Sequence, residues 1–250
     1  FKTIAAAAVL GMVIYGLRAL GLPVDTGIAA ISALMVLVPG LVFTNFMCDL
    51  ITGDMVSGLS TFVRAVLTAT AIAIGTGVAL GLFQTLGLAA EGVGNREDYG
   101  AVLQCLAAFL ACSGFCVMYN VHGWGVVLCC LGGALGWAVY LAMGMVTGSI
   151  YLRYLVAGIA IAAYAEAMAR VRKYPITAYL VVSFFPLVPG SYIYYAMYYA
   201  IQGQRQLFLE SGIQALGLAS CLAIGTLLVS TTVRTCVTWR RERRMKRDTL

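Results

Sequence analysis

Apolar stretches of about 20 residues or more follow one another along almost the whole chain, and each is long enough to cross the hydrocarbon core of a bilayer. They fall at 3–20, 28–46, 59–88, 99–121, 124–146, 149–170, 175–201 and 211–237. The breaks between them are short: GLPVDTG, the segment from Asp49 to Gly58, AEGVGNREDYG, NVHGWG, TGS, RVRKYP and QGQRQLFLESG. With 62% hydrophobic and 10% charged residues, the composition lies far from the roughly half apolar, quarter charged balance of water-soluble domains. The expected fold is an all-α integral membrane protein of about eight transmembrane helices. The breaks leave no room for a soluble module.

A net charge of +6 raises the question of nucleic acid, but six of the sixteen basic residues form one terminal run, Arg240, Arg241, Arg243, Arg244, Lys246 and Arg247. Such a run is the ordinary cytoplasmic flank of a last helix and implies no nucleic-acid partner. With the tail placed inside, alternation puts twelve of the sixteen cations inside and only Arg18, Arg96, Arg153 and Arg205 outside, which satisfies the positive-inside rule. The polar stretch with Glu91, Glu97 and Asp98 then becomes an external loop. The eight cysteines lie almost entirely in apolar stretches without a CxxC pair, and with one histidine they read as buried small side chains, with no metal set and no cofactor implied. The chain begins at Phe1 without a signal-peptide pattern, and natural N-terminal sequence is expected before it.

An internal repeat organises the chain. Leu37-Val38-Pro39-Gly40 recurs as Leu187-Val188-Pro189-Gly190, at an offset of 150 residues. At the same offset Gly53 matches Gly203, and Ala73-Ile74-Gly75-Thr76 matches Ala223-Ile224-Gly225-Thr226. The copies fall on the second and seventh spans, so they cross the bilayer in opposite directions. This is an inverted-topology repeat with Pro-Gly-broken helices, the architecture by which transporters alternate between inward-open and outward-open states. The division expected is 1–97 as the C-terminal part of a first half with about three helices, 98–238 as a second half of five helices, and 239–250 as a basic cytoplasmic tail.

Proline inside a span removes a backbone donor, and the glycine beside it permits unusual dihedrals. In lipid the freed groups must find protein, water or ligand, so Pro39, Gly40, Pro186, Pro189 and Gly190 mark either a midplane binding site or packing kinks. After the first break come Asn45 and Asp49, four residues apart on one helical face, and then Asp54. Asp49 is the candidate proton or cation site, the alternative being an interfacial carboxylate solvated or paired with Arg64. The second copy substitutes tyrosines, Tyr192, Tyr194, Tyr195, Tyr198 and Tyr199; of these Tyr192 and Tyr195 join the candidate binding set, as path lining or as an aromatic belt. Glu166 and Arg170 read as an intrahelical ion pair, structural or gating. Arg153 reads as snorkelling to head groups and His122 as a turn residue. No nucleophile with a base, no GxGxxG and no Walker loop is present, so the chain is not read as an enzyme, and transport without a nucleotide site is driven by an ion gradient or the substrate's own.

The stretch LVPGLVFTNFMCDLITGDMVSG, with Pro-Gly, Asn, Asp, Gly-Asp and Gly in order, and AEAMARVRKYPITAYLVVSFFPLVPGSYIYYAM, in which Glu and Arg precede a Pro and Pro-Leu-Val-Pro-Gly follows, together resemble the ThrE-type threonine/serine exporter family. The positions carried over are Pro39, Gly40, Asn45, Asp49, Asp54, Glu166, Arg170, Pro186, Pro189 and Gly190. The resemblance implies export of threonine and serine across a bacterial inner membrane, driven by the proton-motive force, with small dicarboxylates such as succinate as an alternative cargo seen in some relatives. It also implies ten spans in a five plus five arrangement, so a soluble N-terminal domain and two helices, or a partner subunit, are expected beyond this chain. The partners implied are the lipid bilayer, a small-molecule substrate and protons; homo-oligomeric assembly is compatible with this reading. A rival from another class is a membrane scaffold or assembly subunit, in which the polar residues face packed interfaces and line no cavity.

Overall fold

A computed structural model describes residues 1–22, 26–34, 37, 40–87 and 99–248. Among the described residues the chain is helical throughout and has no strand. The helices are α1 (Lys2–Ala19), α2 (Thr26–Leu34), α3 (Gly40–Thr52), α4 (Met55–Thr85), α5 (Ala101–Met118), α6 (Trp124–Val146), α7 (Ile150–Arg172), α8 (Ile176–Phe184), α9 (Gly190–Ile201) and α10 (Arg205–Asp248), with a 3₁₀ turn at Phe185–Leu187 after α8. Six of them, α1, α4, α5, α6, α7 and α10, are long and apolar enough to cross a bilayer, and α8 with α9 forms a broken seventh span. Of the first LVPG only Leu37 and Gly40 lie among the described residues; Pro39 and the loop carrying Glu91, Arg96, Glu97 and Asp98 lie outside them.

The apolar stretches expected at 28–46 and 175–201 are therefore each two helices. The boundaries of others also move. The helix expected from residue 59 starts at Met55, and the one expected over 211–237 begins at Arg205 and continues through the basic run to Asp248. Only Gln202 to Gln204 of the expected break QGQRQLFLESG is non-helical; from Arg205 the run of good helix formers carries the helix through Gly212.

The chain divides into two compact units, one of Phe1–Asp98 with Pro189–Gly217 and the other of Tyr99–Val188 with Leu218–Leu250. In the first, α1 lies close against α4. Ala7 is fully buried, and a Cβ on Gly75 would strike the Ile4 carbonyl oxygen and the backbone nitrogen of Ala8. Small residues at such a crossing let backbones approach, and the gain is van der Waals contact, since lipid tails are as apolar as leucine. Ala7, Ile14, Ala30, Leu34 and Ile72 form the core of this unit, with Tyr194 of α9 packed on it.

In the second unit α6 is central, packed on α5, α7 and α8. Its Gly132, Gly133 and Gly136 face Ser183, Cys112 and Ile161 so closely that a Cβ at any of them would collide. Four cysteines, Cys112, Cys116, Cys129 and Cys130, join Ala165, Tyr179 and Val182 in one buried cluster, the role of small apolar fillers expected of them. The hydroxyl of the fully buried Ser183 donates to the Cys129 carbonyl at 3.1 Å, and Tyr164 donates to the Leu128 carbonyl at 2.8 Å.

The 150-residue repeat is reproduced bond by bond. At the end of α3, Gly53 N–H donates to Leu50, Asp54 to Asp49, Met55 to Gly53 and Gly58 to Asp54; at the end of α9, Gly203 donates to Ala200, Gln204 to Tyr199, Arg205 to Gly203 and Phe208 to Gln204. Every partner is displaced by 150. Gly53 and Gly203 both have positive φ, 88° and 71°, a region that glycine enters without a Cβ penalty. Further along, Ala65, Ala69, Ile72 and Ala73 are buried, and so are Ala215, Ala219, Leu222 and Ala223. Thr76 donates to the Ile72 carbonyl at 3.0 Å and Thr226 to the Leu222 carbonyl at 2.8 Å. The copies thus share α1 to α4 on one side and α7 to α10 on the other. Four long helices, α4 to α7, separate the two breaks.

Gly75 and Gly225 hold matched helix crossings of different tightness. A Cβ on Gly225 would lie 3.0 Å from the Leu155 carbonyl oxygen and 3.1 Å from the Ile159 nitrogen, whereas on Gly75 it meets backbone closer still. We expect Gly75→Ala to destabilise the purified protein by about 1–3 kcal/mol and Gly225→Ala by less. Gly81→Ala, where a Cβ meets nothing within 4 Å, should leave the detergent-solubilised melting temperature unchanged or raised.

Candidate functional site

The second break is closed by the protein itself. Pro186 cannot supply the N–H that would bond the Val182 carbonyl in an α-helix. Phe185 N–H takes that place by tightening to a 3₁₀ turn, and the thiol of Cys112, from α5, adds a second donor at 3.5 Å. Val188 N–H bonds the Phe184 and Phe185 carbonyls at 3.1 and 3.3 Å. Phe115 stacks on Phe185 with ring centroids 3.4 Å apart, and Pro189 is fully buried. Cys112 was legible as a buried apolar side chain, but its hydrogen bond to the break depends on α5 lying beside α8, which no local pattern reveals.

In the first unit the polar residues after the first break lie on a helical hairpin made by α3 and α4, with Phe46 packed on Phe62 at 4.8 Å between centroids. Asn45 is exposed and Asp49 half-buried on the same face of α3. At the turn, Asp54 is the N-cap of α4, its carboxylate accepting from Ser57 N–H at 3.1 Å. The Ser57 hydroxyl donates to the Asp49 carboxylate at 2.9 Å. One serine thereby links both acids. Asp49 and Arg64 form no ion pair among the described residues. Ser57 was not singled out from the sequence, although its position three residues after a capping aspartate is the usual signal.

In the same unit α4 and α9 enclose a small cleft. One wall is Ala69, Ile72, Ala73 and Thr76 of α4, and the other is Ile193, Tyr194, Met197 and Tyr198 of α9. The cleft leaves room for about one water molecule. It sits near the middle of α4, its wall beginning about 18 Å along the helix from Ser57 at 1.5 Å per residue, so the carboxylates and the cleft occupy different levels of α4. Tyr194 and Tyr198 are the lining tyrosines, four residues apart on one face. Tyr192 and Tyr195 are half-buried outside the cleft, Tyr195 with its ring against Tyr194 and Tyr199.

The threonine/serine exporter model ThrE matches residues 1–83, and the model described as Threonine/Serine exporter, ThrE, matches residues 104–232. The second alone covers more than half of the chain. The chain belongs to the threonine/serine exporter family. It is a multi-pass membrane protein of a transporter family for amino-acid export. Neither a curated protein nor a solved structure matches it.

Two further positions carried over from the exporter family lie apart from these features. Glu166 and Arg170 form an ion pair at 3.4 Å along α7, with Arg170 more than half exposed, so its contribution to stability is about 0.3–0.5 kcal/mol. The left-handed Lys173 then ends α7 ahead of Pro175. Arg153, expected to snorkel, instead donates to the Thr147 carbonyl at 2.9 and 3.1 Å and to the Gly144 carbonyl at 3.4 Å, capping the last turn of α6. His122 is the expected turn residue, its Nδ1 2.9 Å from the Asn120 carbonyl beside a left-handed Asn120.

Replacing Asp54 by Ala should remove the cap of α4 and cost about 1 kcal/mol, while Asn at the same position keeps it. Thermal unfolding of the two variants side by side in detergent checks this order.

Proposed function

We propose that this chain is a secondary active exporter of threonine and serine, coupled to the proton-motive force, in a bacterial inner membrane with its C-terminus in the cytoplasm. The observation that carries the reading is the duplicated unit, matched hydrogen bond by hydrogen bond at the turns after α3 and α9, with the opposite direction of the copies taken from the alternation of spans in the sequence. Two halves of equal construction and opposite direction have inward-open and outward-open arrangements of similar energy, which is what alternating access needs.

Asp49 is the coupling group in this reading. Its carboxylate accepts from the Ser57 hydroxyl; once protonated it keeps an acceptor oxygen and gains a donor of its own, so the contact changes from acceptor-only to donor and acceptor. A half-buried carboxylate beside a helical hairpin turn is thus a place where a proton changes a contact between α3 and α4. The tail orientation rests on the twelve-to-four distribution of cations.

Reconstitution of the full-length protein in liposomes tests the proposal with radiolabelled threonine, serine and succinate, with and without an imposed pH gradient. Threonine and serine flux should rise with the gradient. In Asp49→Asn the gradient-dependent part should fall at least about tenfold, the scale of a lost acid–base group, while exchange at equal pH persists. Succinate flux alone, or gradient coupling retained in Asp49→Asn, would overturn the substrate or the coupling assignment respectively.

A further inference from the structure

The turn between α3 and α4 is held by two sets of hydrogen bonds, and only one set recurs in the turn between α9 and α10. The recurring set is backbone: the Asp49 carbonyl accepts from Asp54 N–H at 2.9 Å, and the Tyr199 carbonyl accepts from Gln204 N–H at 2.9 Å. The other set belongs to the first copy. Ser57 donates its hydroxyl to the Asp49 carboxylate at 2.9 Å and its N–H to the Asp54 carboxylate at 3.1 Å. At the offset of 150 the second copy has Tyr199, Gln204 and Leu207 where the first has Asp49, Asp54 and Ser57, and leucine has no side-chain donor to offer.

The second copy thus serves as an internal control. Its turn closes with leucine in place of the serine, so the bend itself does not require a hydroxyl at that position. What brings the first turn of α4 onto α3 is the buried Gly58, where a Cβ would lie 2.9 Å from Leu50 Cδ2 and 3.4 Å from the Leu50 nitrogen. That close approach puts Ser57 within reach of Asp49, and the Asp54 cap fixes Ser57 from its backbone side. Among the described residues Ser57 is the one side chain that donates to the Asp49 carboxylate. The other titratable or charged groups facing Asp49 are the neighbouring Cys48 thiol on α3 and, on α4, Asp54 and Arg64, the latter forming no ion pair with it among the described residues. A hydroxyl donating to a carboxylate makes a charge-assisted bond, stronger than the same bond to the neutral acid, and so favours the ionised form.

We infer that Ser57 is a positioning residue for proton coupling: its hydroxyl holds the Asp49 carboxylate against α4 and sets the pH range over which threonine and serine flux follows the proton gradient. The inference rests on the exporter reading above, with Asp49 as the coupling group. It separates a bond that shapes the turn from a bond that tunes it, which the two copies distinguish by sharing the first and not the second.

The test is radiolabelled threonine flux in liposomes carrying the full-length protein, at a fixed pH gradient whose mean is stepped from acid to alkaline. Ser57→Ala should move the pH of half-maximal gradient-driven flux up by about one unit, the scale of one hydrogen bond to a charged group, because an acid without its donor takes up a proton more readily. Ser57→Cys, a weaker donor, should move it the same way by less, and Ser57→Thr, which keeps the hydroxyl, should restore the wild-type profile. Added to Asp49→Asn, Ser57→Ala should leave the remaining exchange at equal pH within about twofold, since a residue acting through Asp49 has nothing left to act on. An unmoved midpoint in both Ser57→Ala and Ser57→Cys, with flux normal or lowered at every pH, overturns the positioning role while Asp49→Asn still loses coupling. A shift in Ser57→Thr equal to that in Ser57→Ala overturns it as well. Coupling retained in Asp49→Asn overturns the coupling assignment and this inference with it, and absence of threonine and serine flux in wild type overturns the exporter reading itself.

Discussion

In hydrocarbon no water is at hand to satisfy a broken helix, and the structure is organised around that demand. A proline in a soluble loop costs little. Inside a span it obliges the rest of the fold to bring a substitute donor to the right carbonyl. At the second break the substitutes are a tightened turn at Phe185 and the thiol of Cys112 from another helix, and Val188 closes the following turn on Phe184 and Phe185. The buried Cys112 and the stacked Phe115 make α5 the local support of the break.

The same demand explains why glycine is concentrated where it is. Between lipid-soluble helices the hydrophobic effect offers no preference for contact, so attraction comes from backbones brought close. Gly75 against α1 and Gly132, Gly133 and Gly136 against α5, α7 and α8 are positions where even one carbon would intrude. Alanine at Ala7, Ala65, Ala69 and Ala73 extends the approach along α1 and α4. The buried cysteines belong to the same class, being barely larger than alanine and able to lend a weak proton.

The fold class and repeat were legible because they rest on period and length. Apolar runs of bilayer length, an identical Pro-Gly pair and a glycine at each turn are visible in one dimension, and the resemblance to the exporter family rests on the same residues. The two-helix nature of each broken span was readable from Pro and Gly. Helix ends were less so: Arg205 to Gly212 is polar enough to look like a break, yet it holds no proline and a single glycine and forms the start of α10. Of the site, the Asn45, Asp49 and Asp54 series was visible, but Ser57, which joins two of them, was not, since its role depends on the hairpin folding back. The lining tyrosines could not be chosen among five, because Tyr194 and Tyr198 are distinguished from Tyr192 and Tyr195 only by which face of α9 meets α4.

The paired turns at Gly53 and Gly203 carry one more implication. Their backbones agree donor by donor, yet the residues around them have diverged almost completely: Asp49 and Asp54 in one copy stand where Tyr199 and Gln204 stand in the other. The geometry of the bend is therefore inherited through glycine alone, and the side chains that decorate it are free to specialise. A duplicated half can keep the turn while surrendering the acids, so that one copy carries carboxylates where its twin carries tyrosine and glutamine. Asymmetric chemistry on a symmetric skeleton is the evolutionary freedom that this fold secures.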